Sequence, residues 1–140
     1  IFATDISIKS ILVAKQNAAK FYCENIIFLN HDWNNEWLFP QVDYLISNPP
    51  YVDKEATSGK EEGIWHEPEI ALFSKDKGLS DLKLILSKGK NFLNENGKVY
   101  LEHAPDQYEE LNKFAMENGY LNFSNLNDLN GDKRVSIYQC

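Results

Sequence analysis

The sequence has no apolar run long enough to span a membrane and no leader-like pattern, so no membrane-spanning helix is expected within it. It has little cysteine. Cys23 and Cys140 lie far apart, form no metal-spaced pair, and read as reduced thiols of a cytoplasmic protein. A single bridge between them stays open. It is poor in positive charge: 14 Lys and Arg stand against 21 Asp and Glu, for a net charge of −7. Nucleic-acid binding leans on phosphate neutralisation, so no direct grip on nucleic acid is expected without a separate basic domain. Internal repeats, low-complexity tracts and domain linkers are absent too. No initiator methionine precedes Ile1, and Ile1-Phe2-Ala3 already reads as a strand, so the opening is read as a truncation. What remains is one domain's worth of chain: 140 residues, 43% of them hydrophobic.

The rest of the chain is organised around residues 43–51, Asp43-Tyr44-Leu45-Ile46-Ser47-Asn48-Pro49-Pro50-Tyr51. Tyr44 to Ile46 reads as a short buried strand that stops at once in the prolines. Proline cannot donate to a ladder, and each one keeps the residue before it out of the helical region. The expected result is a stiff ledge at a strand's carboxyl end. It offers the Asn48 side-chain oxygen and the Pro49 carbonyl as adjacent acceptors, with the Tyr51 ring beside them. Two such acceptors can hold the hydrogens of a planar amide or amino nitrogen while its face stays open to a methyl donor. Tyr51 can pack on the flat group. The plainer reading is an ordinary strand-to-loop turn.

Around the ledge the pattern alternates strand and helix. Ile1 to Ala3 is a strand ending at Thr4-Asp5, where an acid can accept from ribose hydroxyls or simply cap the next helix, as can Ser7. Ser7 to Tyr22 reads as a helix whose apolar face holds Ile8, Ile11, Leu12, Ala18 and Ala19. Ile26 to Leu29 is a second buried strand. It leads into Asn30-His31-Asp32-Trp33, where Asp32 is either a ligand or a turn former and His31 is read as a surface residue. Residues 34–41 form a short connection. Val52 to Asp76 is long and irregular, a substrate-facing lid or a mobile acidic loop, with residues 67–73 expected to pack. Neither His66 nor Glu67 is assigned catalysis. Leu79 to Leu93 reads as a helix with Leu82, Ile85, Leu86 and Phe92 inward, ended by Asn96-Gly97. Lys98 to Glu102 is a strand, Asp106 to Asn118 a helix stopped by Gly119, and Leu121–Phe123 and Val135–Tyr138 pair through a turn at Asn130-Gly131-Asp132.

Asn48-Pro49-Pro50-Tyr51 matches the signature of amino-methylating enzymes that act on adenine in nucleic acid or on glutamine side chains in proteins. The chain as a whole resembles the second group, the HemK-type protein-(glutamine-N5) methyltransferases that modify peptide-chain release factors. The matching stretches are Ala3-Thr4-Asp5, His31-Asp32-Trp33, the ledge, Glu67-Pro68 with Ala71-Leu72, Gly78-Leu79 with Asp81, Leu101-Glu102-His103, and Asp128 through Gly131-Asp132 to Arg134-Val135.

The resemblance implies a class I S-adenosylmethionine-dependent (Rossmann-like) α/β fold, a mostly parallel sheet with a C-terminal antiparallel hairpin. It implies catalytic roles for Asn48 and Pro49, and substrate contacts from Asn48, Pro49, Pro50 and Tyr51. Cofactor contacts fall to Asp5, Asp32, Trp33 and Asn48, with no metal. The partners implied are release factors, in the cytoplasm. It also implies that residues 1–140 are part of a catalytic domain lacking the family's N-terminal helical domain, its first strand and its glycine-rich cofactor loop. The isolated chain is then expected to be inactive and to self-associate through exposed strand edges. An adenine-N6 methyltransferase and a non-catalytic methyltransferase-like scaffold subunit are the alternatives.

Overall fold

A computed structural model describes residues 1–57 and 67–140, apart from the side chain of Asn122. It divides them into two units, Ile1–Phe39 and Pro40–Cys140.

The first unit is a strand–helix–strand crossover: β1 (Phe2–Asp5), α1 (Ile8–Lys20) and β2 (Ile27–Asn30). The helical connection makes β1 and β2 parallel, with Phe2 opposite Ile27 and Asp5 opposite Asn30. Ser7 caps α1, its hydroxyl accepting from the Ser10 N–H at 3.3 Å. The helix ends where Tyr22 turns to φ 56°. Only Ile11 and Ala18 of the expected apolar face are buried; Ile8, Leu12 and Ala19 are exposed. A 13-residue helix has more apolar surface than strands of four residues can cover. His31 is also not a surface residue. It is half-buried, edge-on to Phe39, whose ring also stacks near Phe2 and Trp37.

The second unit carries a four-stranded sheet in the order β3-β4-β6-β5. Its strands are β3 (Val42–Ser47), β4 (Leu93–Glu102), β5 (Asn122–Asn127) and β6 (Lys133–Gln139). β3 and β4 run parallel, and β6 runs antiparallel to both β4 and β5. Helices α3 (Ser80–Gly89) and α4 (Tyr108–Glu117) pack on each other and on this sheet. Leu82, Ile85 and Leu86 of α3, Leu111 and Ala115 of α4, Val99 and Leu101 of β4 and Tyr138 of β6 are all essentially inaccessible. This is the core.

Two sequence expectations change here. The Tyr44–Ile46 segment is a strand but not a buried one: Tyr44 is 63% and Ile46 78% exposed. Among the described residues β3 is bonded on one side only, and alternate residues face opposite ways, so Leu45 alone of the three turns toward α3 at Gly89. Likewise, Asn96-Gly97 does not end a helix. α3 stops at Gly89, a 3₁₀ turn spans Lys90–Phe92, and β4 begins at Leu93. The register with β3 shifts between Val42 and Tyr44, which makes the Asn96-Gly97 stretch a bulge inside the strand. Asn96 takes φ 62°, and the Asn94 amide ties the bulge to Asp43 at 2.8 Å.

Between β3 and α3 the described residues hold α2, a single turn at Glu69–Leu72, and a bridge pairing Val52 with Phe73. Residues 67–73 are thus folded. Much of the stretch read as an acidic loop, His66 included, lies outside the described residues. The hairpin turn closes through the Asp128 N–H to the Asp132 carbonyl, with Gly131 at φ 90°.

Candidate active site

The ledge follows directly from the end of β3. Pro49 and Pro50 are buried, which costs no unsatisfied donor because neither has an N–H. Asn48 is exposed, and its side chain makes no hydrogen bond to the described residues; nor does the Pro49 carbonyl accept one. Of these two adjacent acceptors, Asn48 is accessible, while the Pro49 carbonyl is unbonded among the described residues but belongs to a buried residue. Tyr51 is held at both ends. Its hydroxyl donates to Glu102 Oε1 at 2.9 Å, and its carbonyl accepts from Gln107 Nε2 at 2.8 Å. Burial and then the neighbouring Glu102 carboxylate raise the Tyr51 hydroxyl above its ordinary pKa, while Arg134 acts in the opposite sense. The hydroxyl stays protonated and committed to Glu102, leaving the ring as the part that can pack on a ligand.

The backing of the ledge is polar and fully used. Gln107, only 6% exposed, also donates to the Lys77 carbonyl at 3.1 Å and accepts from the Ala104 N–H at 2.9 Å. Gly78 lies against it at φ 84°; a Cβ there would sit 2.0 Å from the Tyr51 carbonyl oxygen and 2.5 Å from Gln107 Nε2. Arg134 pairs with Asp128 at 3.1 Å and reaches the His103 carbonyl at 3.4 Å. Burial works against the Arg134 charge, yet its bonds to Asp128 raise its pKa overall. Burial works against the Asp128 charge as well, but Arg134 and the N–H groups of Asp132 and Asn130 hold its carboxyl below the usual range.

His103 is wholly buried between Ala104 and Ser136. A carbonyl only accepts, so Nδ1 carries the hydrogen toward Ala104 at 2.7 Å, and Nε2 accepts from the Ser136 hydroxyl at 2.8 Å. Burial pushes its pKa down, the Ala104 bond opposes this, and Arg134 adds to the lowering. His103 is a neutral strut at the end of β4.

The first unit holds the remaining sequence candidates. Asp5 closes β1, and its Oδ1 accepts from the Ser7 N–H at 2.7 Å, while the Asn30 amide clamps the Asp5 and Ile6 carbonyls at 2.9 and 2.7 Å. Asp5 Oδ2 has no partner among the described residues. Asp32 forms a turn after β2, its Oδ1 accepting from the Asn34 N–H and side-chain amide, both at 2.8 Å. Trp33 is half-buried and its carbonyl accepts from Trp37 Nε1 at 3.0 Å. Asp5, Asp32 and Trp33 thus share one end of the first sheet, and Asn48 to Tyr51 occupy the carboxyl end of β3 in the second unit. The residues given no role in advance are Gln107 and Gly78, which stand 56 and 27 positions from Tyr51 in sequence (107 − 51 and 78 − 51). Among the described residues there is no cluster of three or more His, Cys, Asp or Glu that could hold a metal, and no helix long and apolar enough to cross a membrane.

No protein-family model matches the chain. Over 99% of its length it is similar to a release factor glutamine methyltransferase of Francisella tularensis, 32% identical over 139 residues and spanning 49% of that protein. It is also similar over 99% of its length to a bifunctional methyltransferase of Rickettsia felis, 36% identical over 140 residues and spanning 27% of that protein. The chain spans half or less of the curated relatives it matches. Among solved structures, a methyltransferase from Pyrococcus furiosus superposes with a TM-score of 0.70 at 17% identity, covering 99% of this chain and 61% of that one. A ribosomal protein L11 methylase from Lactobacillus delbrueckii subsp. bulgaricus gives a TM-score of 0.67 at 17% identity, covering 99% and 56%. The fold is therefore that of class I methyltransferases.

Proposed function

We propose that the intact protein containing this chain transfers a methyl group from S-adenosylmethionine to a glutamine side-chain amide of a peptide-chain release factor, in the cytoplasm. The observation that carries the reading is the pair of adjacent acceptors without a hydrogen-bond partner among the described residues, the exposed Asn48 Oδ1 and the buried Pro49 carbonyl, on a proline-stiffened strand end. The similarity to release factor glutamine methyltransferases along nearly the whole chain supports it.

An amide nitrogen is a poor nucleophile because its lone pair is delocalised. Asn48 and Pro49 would hold its two hydrogens, polarise the N–H bonds and favour the form in which charge develops on nitrogen. Pro50 keeps the two acceptors in fixed register, and the Tyr51 ring would pack on the flat group. The donor set of the first unit suits the cofactor's ribose and adenine: Asp5 keeps an oxygen open to hydroxyls, and Asp32 and Trp33 lie at the same end of that sheet. When bound, S-adenosylmethionine supplies an electrophilic methyl group. A net charge of −7 disfavours the adenine-N6 alternative.

Asn48→Ala in the intact protein is expected to lower turnover by about 10²–10³-fold, as for loss of one transition-state hydrogen bond. The dissociation constant for S-adenosylhomocysteine, read by calorimetric titration, should move far less. Unchanged turnover removes Asn48 from this role.

A further inference from the structure

We infer that Gln107 is a positioning residue for methyl transfer: its side-chain amide sets the orientation of the Pro49–Tyr51 backbone and so aims the two acceptors at the substrate amide. This rests on the function proposed above. The Gln107 amide joins three backbone segments that are remote in sequence. Oε1 accepts from Ala104, just past β4, while Nε2 spends its hydrogens on Tyr51 and Lys77. Only an uncharged amide offers one acceptor and two donors from a single planar group. A carboxylate would keep the Ala104 bond and turn an oxygen on two carbonyls.

The restraint ends on the ledge rather than in the helical core. Tyr51 is separated from the Pro49 acceptor only by Pro50, whose ring fixes φ, so one of the few torsions that could absorb a rotation at Tyr51 is removed. Gly78 lies so close to both partners of the bond that an added Cβ would overlap them. On the other side of Tyr51, Val52 donates to the Leu72 carbonyl at 2.9 Å and accepts from the Ser74 N–H at 3.1 Å. The ledge is thus braced from behind by one side chain that touches no acceptor directly.

The test compares the wild-type protein with Gln107→Glu, using a glutamine peptide as acceptor. Turnover of the variant should fall by about tenfold or more near neutral pH, with the KM for S-adenosylmethionine within about twofold of wild type. A buried carboxyl facing carbonyls has a raised pKa, and its protonation restores one donor. The ratio of variant to wild-type turnover should therefore rise as pH falls from about 9 to about 6. A ratio that is independent of pH, or turnover lost only in proportion to folded protein, overturns the proposal. If the glutamate variant does not fold, Gln107→Met, of similar volume and without donors, should lose turnover at every pH; full activity overturns the proposal. A wild-type protein that never methylates glutamine defeats the proposed function instead. Hydrogen–deuterium exchange then decides the positioning. Faster exchange at Val52 and Ser74 in the variant supports it, and unchanged exchange overturns it.

Discussion

Replacing Gly78 by alanine tests the packing behind the ledge most directly, and Gly131 provides its control. Both glycines have strongly positive φ, 84° and 90°, so a Cβ costs each about 1–2 kcal/mol of backbone strain. At Gly131 nothing lies within 4 Å of the added carbon. At Gly78 the carbon would stand 2.0 Å from the Tyr51 carbonyl oxygen, against an ordinary carbon–oxygen separation of about 3.3 Å. Something must move by roughly 1 Å. Overpacking of that kind costs about 1–3 kcal/mol, and losing the Gln107–Tyr51 bond about 1 more. Gly78→Ala should therefore destabilise by roughly 3–6 kcal/mol in all and Gly131→Ala by about 1–2. Differential scanning calorimetry reads the first effect. Turnover under conditions where both variants stay folded reads the second: a shift on the order of 1 Å at the acceptors should cost about a hundredfold at Gly78 and nothing at Gly131. Two variants alike in stability and turnover would refute the account of the ledge.

His103 is held neutral, with its pKa lowered by burial. As pH falls, the unfolded chain takes up the proton first. The stability this residue contributes is thus complete above the ordinary histidine pKa of about 6.5 and drains away as pH drops toward the depressed folded value. The thermal midpoint should decline through that window, and His103→Gln should flatten the slope; an unaltered slope in the variant counts against the assignment. On the β3 edge, Tyr44 and Ile46 together expose apolar side chains beside backbone groups that pair with no strand among the described residues. Ile46→Lys should weaken concentration-dependent association measured by sedimentation velocity. A wild-type chain that stays monomeric at every concentration would dispose of the edge-pairing idea.

The succession of elements was legible because it is local. Period-two and period-3.6 runs, Ser7 as a cap and Gly119 as a stop act over a few residues, and the structure keeps them. The stop of β3 before the two prolines was legible for the same reason, since proline acts on its immediate neighbours. Burial of β3 was not, because an apolar Tyr-Leu-Ile run does not say how many strands flank it. Asn96-Gly97 is equally apt for a helix end and for a bulge, and pairing with Val42 and Tyr44 decides between them. The brace at Gln107 is beyond local reading altogether. A glutamine at the start of a helix looks like surface until β4 and the turn before α3 bring Tyr51 and Lys77 to it.

The placement of β6 between β4 and β5 has a consequence for how the protein is made. Synthesis delivers β5 before β6, yet β6 is the only strand that β5 pairs with among the described residues. At roughly 5–20 residues per second, the nascent β5 waits on the order of a second with both edges bare. Its sequence, Asn-Phe-Ser-Asn-Leu-Asn, sets two isolated apolar side chains among four polar ones and offers neighbouring nascent chains little to adhere to. The polarity of this outer strand, which contributes little to the finished core, would be most useful during that interval on the ribosome.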